Sequence, residues 1–167
     1  IAKNKYAAQQ LERQRANHTL SRVYLALAEG HWTNQSKSGL INRPIEKVPE
    51  CFNRYQVADT GRPSRTEYEV LSEFTYEETP FSLVRLKLQT GRTHQIRVHM
   101  ASLSHPLLGD SIYGHEGFLG FDRAALHSFE ITCQLPGHQD LAVFSSEMPE
   151  DFQKMIAKSM NFSSTLI

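Results

Sequence analysis

Apolar and polar positions alternate at period two in several short stretches and recur at helical period in only three, and this imbalance predicts the architecture. From Arg22 to Ala28, Val23, Leu25 and Leu27 alternate with Tyr24, Ala26 and Ala28. Both sets are apolar, so the stretch reads as a central strand covered on two faces, with Tyr24 turned away from Val23 and Leu25. Val84, Leu86 and Leu88 alternate with Arg85 and Lys87, and Thr66, Tyr68 and Val70 with Glu67 and Glu69, giving two half-buried strands. Ala125 to Cys133, with Phe129, Ile131 and Cys133 inward, and Leu141 to Phe144 add two more across the Pro136-Gly137 turn. Between residues 31 and 65, glycines and prolines punctuate short strands and loops, and Glu73 to Pro80 reads as an acidic turn.

Asn4 is placed to cap a helix reaching Asn17, and Thr93 to cap a second in which Ile96, Met100 and Leu103 fall at i, i+4 and i+7 before Pro106. Pro149 opens a third, with Phe152, Met155, Ile156 and Met160 on one face. Ile1 to Lys3 reads as the tail of a strand, His115 to Gly120 as a mobile loop, and Asn161 to Ile167 as a fraying end. Strands outnumber helices. The expectation is an α+β fold, a largely antiparallel mixed sheet with flanking helices, in one domain over 1–160 followed by a tail, 161–167.

At 167 residues with 40% hydrophobic content the chain buries one core. No apolar run approaches the length of a membrane span. Cys51 and Cys133 fit no metal or redox spacing and read as reduced thiols of a cytoplasmic protein. Net charge is zero but unevenly spread: residues 1–100 hold fifteen Lys/Arg against ten Asp/Glu, residues 101–167 three against eight. A polyanionic partner meets the front of the chain.

The basic character peaks between Arg85 and Gly114, where Arg85, Lys87, Arg92, Arg97, His94 and His99 precede the first acid, Asp110. Arg97 follows Ile96, so it lies about 100° round the helix from the apolar stripe, at the edge of the core. An arginine there calls for an anion. Asp110 reads as a turn residue that accepts hydrogen bonds from backbone amides. His94 and His99 fall on different helix faces, and no metal motif, Gly-x-Ser-x-Gly elbow or glycine-rich phosphate loop is present, so neither metal nor organic cofactor is expected.

The string TGRTHQIRVHMASLSHPLLGDSIYG closely resembles the motif III region of the RluA-type pseudouridine synthases, which isomerise uridine in ribosomal or transfer RNA. SRVYLALAEG resembles the family's Lys-x-Tyr segment, with Arg22 where lysine is usual; GLINRPI, TGRPSRTEYEVL, ALHSFEITCQLP and MPEDFQKM resemble further family segments in order. Such chemistry takes the base out of its stack, holds it in a pocket and has a carboxylate attack or stabilise it.

The resemblance implies that Tyr24 stacks on the target base and is a candidate general base. It implies that Arg97 binds the nucleophilic aspartate, and that Arg22, Arg92, His94 and Gln95 contact RNA or shape the helix start. The family's aspartate sits in a His-Arg-Leu-Asp segment upstream of a segment like IAKN. The expectation is therefore an incomplete catalytic domain, inactive alone, with that aspartate and any S4-type domain outside these residues. Arg97 is then expected to be solvated, to recruit a buffer anion or to turn away, and an exposed sheet edge to drive self-association. The alternative is a noncatalytic RNA-binding module with the synthase fold.

Overall fold

The computed structural model describes residues 2–17 and 19–164. Eight strands form: β1 Ser21–Glu29, β2 Ser38–Asn42, β3 Ile45–Lys47, β4 Tyr55–Val57, β5 Arg65–Tyr76, β6 Thr79–Leu88, β7 Leu126–Gln134 and β8 Leu141–Ser145. Three α-helices, α1 Lys5–Ala16, α2 Gln95–Ser102 and α3 Glu150–Ser164, and a one-turn 3-10 helix over Phe118–Gly120 complete the described residues. Six strands make one sheet in the order β2-β5-β6-β1-β7-β8, and β3 pairs with β4 apart from it. Every ladder among the described strands is antiparallel, so the sheet is not mixed.

β1 is interior to the sheet because its two faces feed two cores. Leu25 and Leu27 pack with Phe81, Leu83, Phe152 and Met155 under α3. Ala26 and Ala28, on the opposite face, pack with Val84, Leu86, Ile96 and Met100 under α2, and half-buried Tyr24 borders this second cluster. Tyr24 pairs with Leu86 of β6 and Ser128 of β7, immediately after a register shift in the β7 ladder. A bulge of this kind re-aims the side chain beside it.

α1 is capped as expected, the Asn4 side chain accepting from Ala7 N–H at 2.8 Å, and Gln14 joins it to β7 through reciprocal bonds with the Gln134 backbone. Several further readings change. Ala2 and Lys3 are not strand, and Ile1 lies outside the described residues. The acidic segment is not a long turn: β5 and β6 extend to a tip of only Glu77 and Glu78, both at positive φ, so that Phe74 stacks on Phe81. Thr93 does not cap α2; His94 occupies that position. The loop expected over His115 to Gly120 contains the 3-10 turn. In α3 the buried stripe is Phe152, Met155 and Ser159, while Met160 is 57% exposed; the helix runs to Ser164, and 165–167 lie outside the described residues.

Candidate active site

The entrance to α2 is built from glutamine rather than from a cap. Gln95 is 2% exposed. Its Oε1 accepts from Arg92 N–H (3.0 Å) and Thr90 Oγ1 (2.9 Å), and its Nε2 donates to the Arg65 carbonyl (2.9 Å) and Thr66 Oγ1 (3.0 Å). Thr66 in turn donates to His99 Nδ1, and His99 Nε2 donates to the Arg43 carbonyl. Gln95 thus ties β5 to α2 and spends its amide inside the protein. Burial, against a weaker opposing bond to the Arg43 carbonyl, pushes the His99 imidazole below its usual range. His105 stacks on Trp32 at 4.0 Å and donates through Nδ1 to the Glu29 carbonyl. Both histidines are core residues.

Tethering the α2 entrance in this way leaves His94 at φ 55, ψ 16, a left-handed conformation that costs a non-glycine residue about 1 kcal/mol. Its Nε2 lies 3.2 Å from Arg97 Nη1 and its Nδ1 3.0 Å from the Tyr113 hydroxyl, with Tyr55 and Tyr113 edge-on to the ring. The Tyr113 oxygen also accepts Tyr55 N–H at 2.9 Å, fastening β4 to the loop after α2.

The sequence led us to expect Arg97 solvated, on a buffer anion or turned away; instead it is paired within the chain. Nε donates to Asp110 Oδ2 at 2.7 Å and Nη2 to Asp110 Oδ1 at 2.6 Å, a two-pronged pair with side-chain exposures of 18% and 0%. A planar guanidinium and a planar carboxylate match in this way, and the fork orients the cation as well as holding it. Asp110 also keeps the turn role read from the sequence, accepting from the Ile112 and Tyr113 amides at 3.0 and 3.1 Å. Burial raises its carboxyl, but Arg97 and the two amides together outweigh that and hold it below the usual carboxylate range. The bond to Asp110 raises Arg97, against its own burial. Asp110 leaves the Nη1–Nη2 edge of Arg97 to other neighbours: His94 Nε2 lies 3.2 Å from Nη1, and the Tyr113 ring centroid lies 5.1 Å from the guanidinium carbon.

The other basic candidates converge elsewhere. Arg22 donates to the Thr90 carbonyl, and a Cβ on Gly91 would stand 2.7 Å from its guanidinium, so glycine lets the strand-to-helix turn close over the arginine. Three clefts of about 550, 730 and 310 Å³ all include Arg92 in their walls. Arg15, Arg22, Arg62, Arg65 and Lys87 share those walls with Glu12, Glu46 and Glu67, so the lining is predominantly basic. Among the described residues no hydrogen bond or ring contact joins Tyr24 to Arg97; what links them is the α2 face, where Tyr24 borders the cluster containing Ile96. The sequence did not single out Tyr55 or Tyr113, since nothing local pairs residues 58 positions apart.

Comparison with known proteins fits this arrangement. The model of the RNA pseudouridylate synthase family matches residues 1–102, which contain Tyr24, Gln95 and Arg97. The chain belongs to that family. An uncharacterized RNA pseudouridine synthase of Bacillus subtilis is 40% identical over 155 residues, covering 93% of this chain and 50% of its own. Ribosomal large subunit pseudouridine synthase D of Nitrosomonas europaea is 34% identical, covering 96% of this chain and 47% of its own. The chain spans about half the length of the curated relatives it matches. Among solved structures, human RNA pseudouridylate synthase domain containing 1 superposes with a TM-score of 0.72 at 30% identity, over 88% of this chain and 62% of that one. Human RNA pseudouridylate synthase domain containing 4 shares the fold, with a TM-score of 0.70 at 19% identity, over 94% of this chain and 69% of that one.

Proposed function

We propose that this chain supplies the Arg97 side of the catalytic centre of an RNA pseudouridine synthase, acting on uridine in ribosomal or transfer RNA in the cytoplasm. The observation that carries this reading is the orientation of Arg97: Asp110 holds one edge of the guanidinium and leaves the other available to a carboxylate. Asp110 is not that nucleophile. It has no exposed surface and both its oxygens are engaged. The attacking aspartate of this reading is one that reaches the guanidinium edge Asp110 does not use. Paired with Arg97 it stays ionised in a site closed to water, and it attacks an extruded uridine. Tyr24, set opposite the bulge that β7 makes at Phe129, stacks on the base and removes the proton that carbon–carbon bond formation displaces. Arg22 and Arg92 contact the phosphate backbone through the basic clefts. This reading calls for neither a metal nor an organic cofactor.

A noncatalytic RNA-binding module with the same fold draws support from one feature: the clefts gather at Arg92 rather than at Arg97. Base-specific chemical modification of RNA after incubation with the full-length protein separates the two readings. The synthase reading predicts pseudouridine from the full-length protein and none from this chain alone; RNA binding by the full-length protein without product leaves the module.

A further inference from the structure

We propose that His94 is a positioning residue. As a neutral imidazole with its proton on Nδ1, it accepts a hydrogen bond from Arg97 Nη1 and fixes the guanidinium edge that Asp110 leaves open. The inference rests on the reading of Arg97 as the anion-binding arginine of the site.

The tautomer follows from the partners. A guanidinium has donors and no acceptor, so the 3.2 Å approach of Arg97 Nη1 to Nε2 is a hydrogen bond only if Nε2 carries a lone pair. The proton of the neutral ring then sits on Nδ1, which faces the Tyr113 oxygen at 3.0 Å. That oxygen also takes Tyr55 N–H, so its two lone pairs are used by two N–H donors. The other tautomer, or the imidazolium, sets an N–H of His94 against an N–H of Arg97 and loses the contact.

The surroundings agree. Facing the ring are Arg97 on its own helix, Asp110 and Tyr113 in the loop after it, and Tyr55 on β4; Arg54 acts at one remove, on the Tyr113 hydroxyl. Burial and then the Arg97 cation disfavour the charged ring, against the opposing pull of Asp110. The backbone gives a second, independent sign. His94 stands in the left-handed region at the helix start yet makes no side-chain capping bond, so glycine would relieve the backbone and lose only the ring. What the ring does there is hold Arg97 and Tyr113.

Two measurements test this, the first independent of activity. Long-range proton–nitrogen correlation spectra of the labelled chain are expected to show, at pH 7, a protonated Nδ1 and an unprotonated Nε2, titrating below the ordinary value of 6.5. A protonated Nε2, in either tautomer or imidazolium form, overturns the inference.

The second measurement uses the full-length protein. His94→Gly is expected to keep or raise Tm while lowering kcat roughly tenfold or more, with KM little changed. His94→Gln, which offers Oε1 to Arg97, is expected to recover part of the loss and to move the acid limb of the rate profile to lower pH, leaving the one set by the nucleophilic carboxylate. A raised KM at unchanged kcat makes His94 an RNA contact and overturns the inference, as does a fall in Tm that alone accounts for lost activity. If the full-length protein makes no pseudouridine at all, the functional reading fails, and the tautomer measurement still decides whether His94 is placed as we describe.

Discussion

Asp110 keeps a charge with none of its surface exposed because Arg97 and two backbone amides surround it. Removing that charge leaves a partly buried guanidinium unpaired, so Asp110→Asn is expected to cost about 3 to 5 kcal/mol, read as a lower urea midpoint at unchanged slope. The same pair sets an acid limit. The folded carboxyl titrates below its ordinary value of 3.8, so its contribution is fully present above that value and is lost as pH falls through the lower folded one. Thermal unfolding of wild type and Asp110→Asn should therefore converge as the pH drops well below 4. The sequence made Arg97 legible as an arginine wanting an anion, because it follows the buried Ile96. Its partner was harder to see. Asp110 was readable as a turn residue, but its aim depends on Gly109, whose φ of +67 and whose 2.4 Å from a Cβ to the Phe121 carbonyl admit only glycine. Loop geometry of that kind has no periodic signature.

Strands were legible where alternation marks their two faces, and β1, β5, β6 and β7 all lie over their alternating segments. The β5–β6 tip was not, because two glutamates at positive φ carry none of the Asn-Gly chemistry that usually marks such a hairpin, and charge was read as loop. The start of α2 was missed for a related reason: a buried glutamine does the work that a threonine cap advertises. The sheet ends in β2 and β8, and β8 presents Leu141, Val143 and Phe144 at 65%, 62% and 49% exposure. An apolar edge strand is a template for a second chain. Light scattering of this chain is expected to show a mass that rises with concentration, and Val143→Lys to return it to a monomer; a monomer at all concentrations in the unsubstituted chain contradicts this.

Across the whole molecule the charge asymmetry read from the sequence becomes a surface. The arginines of α1, β1 and the turn before α2 meet around Arg92, although they lie far apart in the chain. Phosphate contacts of this kind release counterions, so RNA affinity should fall steeply with salt. Arg92→Ala is expected to reduce the slope of log K against log salt by about 0.7, one single-strand phosphate, without changing sequence preference. Binding, however, is common to both functional readings, and only turnover tests the central claim that Arg97 serves the reacting carboxylate. The most direct measurement is pseudouridine formation by the full-length protein carrying Arg97→Lys, a change that keeps the charge and gives up the fork, with folding checked by its unfolding curve. The account predicts product from the wild type and none above background from the folded Arg97→Lys protein; product at the wild-type rate from that variant would contradict it.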